Sequence, residues 1–180
     1  MRFRDPFSTP HLILGAAKSG KSLFAENIIS KFTPPYIYLA TAQVLDEEMR
    51  ARVREHQKRR SIDWETMESP YGLVESLQGL LGRDTPVLVD CLTLWLSNLL
   101  LAEDSDLEQA VHGLSDFLQV VDYPLVLVSN EVGAGIVPDN RLARRFRDLA
   151  GWANQRIAGS CRTVTLVVAG LPLQLKSSEQ

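Results

Sequence analysis

The chain has 180 residues, 45% of them hydrophobic and 23% charged, with a formal net charge of −3. These values predict one globular domain with room for a buried core, and the slight negative charge leaves no basic footprint for general nucleic-acid binding. The most apolar run, Leu92 to Ala102, contains Thr93, Ser97 and Asn98 and is too short to span a bilayer, while Asp5, Pro6 and Pro10 leave no signal-peptide core after Arg2 and Arg4. The expectation is a cytoplasmic protein with no membrane segment.

In chain order, residues 1–10 read as a frayed N-terminal extension. His11-Leu12-Ile13-Leu14 then reads as a short buried strand, and Gly15-Ala16-Ala17-Lys18-Ser19-Gly20-Lys21-Ser22 follows it directly. That octapeptide meets G-x-x-x-x-G-K-[ST] at every fixed position. Its glycines let backbone N–H groups converge on a phosphate at the positive end of the next helix, predicted over Lys21 to Lys31. Lys21 would reach the β- and γ-phosphates, and the Ser22 hydroxyl would enter a Mg²⁺ shell. Strand, glycine loop and helix in this order predict a chain that binds a nucleoside triphosphate.

A Pro34-Pro35 break announces a second strand over Tyr36–Ala40, ending at Thr41-Ala42-Gln43. Those three residues can read a nucleotide or can simply satisfy a turn. A helix is expected from about Leu45 to Arg60, acidic at its start and basic at its end, as the helix dipole favours. Within it His56 is flanked by Arg52, Arg59 and Arg60. Neighbouring cations keep a ring nitrogen unprotonated and attract a triphosphate, whereas the negative helix end favours the imidazolium, so these residues alone leave open whether His56 is a nucleophile or a plain surface histidine.

A short strand near Trp64 to Met67 and a helix over Gly72–Leu81 come next. Val87-Leu88-Val89-Asp90 is an apolar strand ending in a carboxylate, the Walker B arrangement in which Asp90 would hold Mg²⁺; the alternative is that Asp90 caps the following helix. Helices are predicted over Leu92–Leu101 and Asp106–Val121, a strand over Leu125–Val128, a long helix over Asn140–Ser160, and a last strand over Thr163–Val168, with residues from Lys176 onward frayed. Alternating apolar strands and helices predict an α/β domain with a mostly parallel sheet covered on both faces. Cys91 and Cys161, without metal-type spacing, are expected as reduced, buried thiols. Between strand and long helix, the segment from Asn130 to Arg141 gathers Gly133, Gly135, Glu131 and Pro138 ahead of Arg141, Arg144, Arg145 and Arg147, which either bind phosphate or a partner subunit or form a solvated face.

Four segments, GAAKSGKS, YLATAQVLDEEMRARVREHQ, LVDCLTLWLSNLL and SNEVGAGIVPDNRLARRFRDLAGWANQRIA, together resemble the bifunctional adenosylcobinamide kinase/adenosylcobinamide-phosphate guanylyltransferase family of cobalamin biosynthesis. The similarity runs from about Leu12 to Ala169. It implies a RecA-like P-loop fold, a trimeric assembly, and two reactions: phosphorylation of the aminopropanol hydroxyl of adenosylcobinamide with ATP or GTP, then transfer of GMP from GTP through a covalent histidine. By the resemblance that histidine is His56, and nucleotide contacts fall on Gly15 to Ser22, Thr41, Ala42, Gln43, Gln57, Lys58, Arg59, Arg60, Glu68 and Asp90. Departures from the family pattern include Ala16 for a second glycine, Lys18 for arginine and Asp90 for glutamate. A single-function small-metabolite kinase and a non-catalytic nucleotide-binding module are the competing readings.

Overall fold

The computed structural model describes residues 8–43, 47, 61–102 and 105–177. Seven strands form one sheet: β1 (His11–Gly15), β2 (Tyr36–Ala40), β3 (Trp64–Glu68), β4 (Val87–Asp90), β5 (Leu125–Asn130), β6 (Thr163–Val168) and β7 (Leu171–Lys176), in the order β3-β2-β4-β5-β1-β6-β7. Every neighbouring pair is parallel except β6 and β7. Five helices are described: α1 (Lys21–Ile29), α2 (Leu73–Gln78), α3 (Leu92–Leu101), α4 (Leu107–Phe117) and α5 (Arg141–Ser160). Apart from Glu47, the helix expected over 45–60 lies outside the described residues.

The central strands are apolar throughout because both faces of the sheet are covered, and the period of two divides their residues between two cores. Leu12, Leu14, Val87, Val89, Leu125 and Leu127 face a core shared with Trp95, Leu96, Val111, Leu114 and Ile157. Ile13, Leu88, Val126 and Val128 face the opposite way, onto Ala25, Ile28 and Ile29 of α1. The helix starts follow local chemistry. Asp106 caps α4 by accepting from Gln109 N at 3.0 Å, and Asn140 caps α5 by accepting from Ala143 N at 2.7 Å. The two helices expected to end at Leu81 and Val121 stop instead at Gln78 and Phe117, the first where Gly79 follows and Gly82 turns with φ 77°.

Both predicted frayed ends need correction. Strand β6 is not the last: Ala169 and Gly170, with φ 52° and 79°, make a two-residue turn into β7. Pro172 and the exposed leucines 171, 173 and 175 hide this strand in the sequence, because proline is tolerated in a sheet chiefly at an edge. Lys176, at its end, donates from Nζ to the carbonyls of Ala158, Gly159 and Cys161 at 3.0, 2.9 and 2.6 Å, satisfying the C-terminal end of α5. Lys176→Met should therefore lower unfolding free energy by about 2 kcal/mol in a urea titration, since bonds from a charged donor are lost at a helix end. A change below about 0.5 kcal/mol would show the cap to be energetically idle. At the other end, Pro10 O accepts from Arg162 N at 2.9 Å and Ser8 O from Thr163 Oγ1 at 2.9 Å, so residues 8–10 are anchored beside β6. Residues 1–7 lie outside the described part.

Candidate functional site

In a parallel sheet, ligands gather at the carboxyl edge of the strands, and the register puts the residues in question along that edge. Gly15 pairs with Asn130, Asp90 with Val128 and with Ala40, and Ala40 with Glu68. The row therefore runs from Gly15 on β1, past β5, to Asp90 on β4, Thr41 after β2 and Glu68 on β3. Four strand spacings separate its ends, about 19 Å.

The loop after β1 is built as its sequence requires. A Cβ on Gly15 would overlap Ser19 Oγ and lie 2.7 Å from Val167 O. Gly20 has φ 94°, a conformation that glycine adopts without steric cost, and a Cβ there would sit 3.2 Å from Gly170 Cα. Lys18 also takes a positive φ, 58°, and is exposed with Ala16, Ala17 and Gly20, whereas Ser19 is buried. Three backbone bonds fix the loop: Ser19 N to Ala16 O at 3.2 Å, Gly170 N to Ser19 O at 2.8 Å and Glu131 N to Gly15 O at 3.1 Å. The β6–β7 turn thus braces the phosphate loop, a contact the sequence reading missed because it missed β7.

Helix α1 begins at Gly20 with no side-chain cap and no acidic residue in its first turn, which leaves its first N–H groups and positive dipole end to a ligand. Lys21 is 9% exposed and folds back over the loop, its Nζ donating to Ala16 O at 3.2 Å. The Ser22 side chain stands half-buried beside it. The Ser19 hydroxyl is buried and has no hydrogen-bond partner among the described residues.

Asp90 does not cap the next helix. The cap of α3 is Cys91, without a side-chain bond, and Asp90 Oδ2 instead accepts from Tyr38 Oη at 3.2 Å while remaining partly accessible. Tyr38, two residues before the end of β2, carried no sequence signal beyond strand propensity. Burial, and after it the adjacent Asp90 charge, push the Cys91 thiol up to about 12, so Cys91 is a neutral, inert thiol. Cys161 is likewise raised to about 12 by burial, and both cysteines are free.

Of the two readings open for Thr41, its side chain takes the structural one. Fully buried, it donates from Oγ1 to Cys91 O at 2.7 Å and accepts from Cys91 N at 2.9 Å, clamping the end of β2 to the start of α3. Asn98 adds a bond to Thr41 O at 2.8 Å. Ala42 and Gln43 are half-buried next to it, and Glu68 is exposed. His56, Gln57, Lys58, Arg59 and Arg60 lie outside the described residues. The arginines of α5 divide by role: Arg144 Nη1 holds Pro138 O and Asp139 O at 2.9 and 2.7 Å, Arg147 pairs with Asp148 at 2.9 Å, and Arg141 and Arg145 are exposed. Arg145 borders an open cavity of about 570 Å³ with Asp106, Glu108, Asp148 and Trp152.

Among the described residues no helix is long and apolar enough to cross a membrane. The fold resembles a Pyrococcus horikoshii OT3 protein (TM-score 0.55, 9% identity, 95% of this chain and 87% of that one). It also resembles the flagellar accessory protein FlaH of Methanocaldococcus jannaschii (0.51, 12%, 93% and 77%) and the P4 protein of bacteriophage phi6, solved with ADP (0.50, 16%, 90% and 51%). These likenesses bear out the P-loop α/β fold. The chain is 46% identical over 166 residues to the bifunctional adenosylcobalamin biosynthesis protein CobP of Pseudomonas aeruginosa, covering 92% of this chain and 96% of that protein. It is 40% identical over 179 residues to the bifunctional adenosylcobalamin biosynthesis protein CobU of Salmonella typhimurium, covering 92% and 98%. The family model described as "CobU: Cobinamide kinase / cobinamide phosphate guanyltransferase" matches residues 11–175, the whole span from the first strand of the phosphate loop to the last strand that braces it. The chain belongs to this kinase and guanyltransferase family.

Proposed function

We propose that the protein phosphorylates the aminopropanol hydroxyl of adenosylcobinamide with ATP or GTP and then transfers GMP from GTP to the new phosphate, through a covalent adduct on His56. The observation that carries the kinase half is the phosphate loop, with Lys21 folded over it and an uncapped helix start beneath, in a chain of this family. Lys21 and the loop N–H groups neutralise the charge of the transferring phosphoryl group.

Ser22 and Asp90 would hold Mg²⁺. The donor set fits that ion: the Ser22 hydroxyl stands half-buried in the first turn of α1, and the Asp90 carboxylate is partly accessible at the end of β4. One hydroxyl and one carboxylate suit a cation that keeps waters and substrate phosphates as its other ligands. When bound, the ion would neutralise charge on the phosphate oxygens.

In the second reaction an imidazole nitrogen of His56 attacks the α-phosphorus of GTP as the α–β bridging P–O bond breaks and pyrophosphate leaves. An oxygen of adenosylcobinamide phosphate then attacks the same phosphorus, the P–N bond breaks, and the imidazole is released. The neutral ring avoids the anion–anion repulsion that a direct displacement would meet. The other two histidines are poor substitutes. His11 is buried at the start of β1, away from the loop, with Nε2 2.9 Å from Thr165 Oγ1, and His112 on α4 has its Nδ1 3.0 Å from Arg156 Nη2 of α5. Gln57 to Arg60, Gln43 and Glu68 are proposed to contact the guanylyl half of the site, and Gln43 and Glu68 fall on the sheet edge away from the phosphate loop.

The active form is proposed to be a homotrimer in which the exposed Arg141 and Arg145 serve a site shared between subunits. An Arg141→Ala, Arg145→Ala variant should lose corrinoid turnover or trimer mass while keeping most of its nucleotide affinity; unchanged turnover together with unchanged mass by light scattering would return both residues to a solvated face. The whole reading is tested by following products by mass spectrometry with adenosylcobinamide, GTP and Mg²⁺. Adenosylcobinamide phosphate should appear first and adenosylcobinamide-GDP second. Unaltered adenosylcobinamide would refute it.

A further inference from the structure

The carboxyl edge carries a carboxylate that the reading above leaves without a task. Glu131 follows β5, the strand paired with β1, and its own N–H holds Gly15 O at 3.1 Å, so its backbone is locked to the first residue of the phosphate loop. Its Oε1 accepts from Gly133 N at 2.7 Å. That bond from the glycine turn holds the carboxylate beside Gly133, where a Cβ would lie 2.9 Å from the oxygen. Oε2 accepts no hydrogen bond among the described residues, no ion pair there involves Glu131, and the side chain is only half-buried.

The other described carboxylates along the row fit this position less well. Asp90 stands on the second strand from β1 and already accepts from Tyr38, and Glu68 lies at the far end, about 19 Å away. A hydroxyl that accepts a phosphoryl group must lose its proton, and a positioned carboxylate at the flank of the phosphate loop supplies a place for it.

Resting on the kinase reading, we infer that Glu131 is the general base of the phosphorylation step. Its Oε2 takes the proton of the acceptor hydroxyl as the oxygen bonds to the γ-phosphorus. The bond from that phosphorus to the β–γ bridging oxygen breaks, and the nucleoside diphosphate leaves with that oxygen's charge. The second reaction uses an acceptor that is already an anion, so it does not need Glu131.

Glu131→Gln keeps an acceptor for the Gly133 N–H and removes only the basicity. It should slow phosphorylation of adenosylcobinamide by about 10²- to 10³-fold, leave GTP affinity unchanged, and transfer GMP to supplied adenosylcobinamide phosphate at the wild-type rate. Glu131→Ala should be equally slow in phosphorylation and regain turnover with added formate, a small carboxylate base; a merely structural role would not respond. Phosphorylation by Glu131→Gln within a few-fold of wild type, equal loss of both reactions, or no rescue by formate would each overturn the inference. A wild-type protein that makes no adenosylcobinamide phosphate would instead remove the kinase reading, and the inference with it.

Discussion

Replacing Lys21 by alanine is expected to cut phosphorylation of adenosylcobinamide by about 10²-fold or more while the protein stays folded. Lys21 is buried, 9% exposed, and its ammonium bonds the loop carbonyl of Ala16 at 3.2 Å. No other described lysine or arginine is held over the loop in this way. The fold does not depend on it, because β1 and α1 are held by Leu12, Ile13, Ala25, Ile28 and Ile29 in two separate cores. Single-turnover kinetics, with thermal unfolding as the control for folding, would measure the effect. A near wild-type rate would mean that the phosphate loop does not serve phosphoryl transfer.

His56→Ala should separate the two reactions. If His56 carries GMP but takes no part in phosphorylating the hydroxyl, the variant should lose all labelling from α-labelled GTP and stop at adenosylcobinamide phosphate, with its kinase turnover intact. The wild-type adduct should be labile in acid and stable in alkali, as a phosphorus–nitrogen bond to imidazole is. Retained labelling would move the adduct to another residue. His11 and His112, buried in β1 and bonded to Arg156 respectively, would then need to be tested in turn.

What the sequence disclosed and what it hid follow from different kinds of interaction. The central parallel strands were legible because burial on both faces makes them short apolar runs, and Val87 to Asp90 and Tyr36 to Ala40 fall where expected. The phosphate loop was legible because its backbone path dictates glycine at fixed positions, and Gly15 and Gly20 have the steric reasons that the motif implies. The fate of Thr41 was not, since a hydroxyl that clamps the Cys91 peptide has the same local sequence as one that reads a ligand. Strand β7 was hidden by Pro172 and by leucines left exposed at a sheet edge, and with it went the bond from Gly170 to the phosphate loop and the Lys176 cap on α5. The partner of Asp90, Tyr38, is 52 residues away and depends on strand order, which no local pattern carries. The role proposed for His56 rests on family resemblance alone: the cationic neighbours in its sequence and the dipole of the helix expected there push its protonation in opposite directions.

The most direct test is a pulse and chase. Wild-type protein is first incubated with α-labelled GTP, freed of nucleotide, and then given unlabelled adenosylcobinamide phosphate. Label should be covalently held at His56 after the pulse and pass during the chase into adenosylcobinamide-GDP. No label on the protein, or label that stays there when the corrinoid phosphate is added, would contradict it.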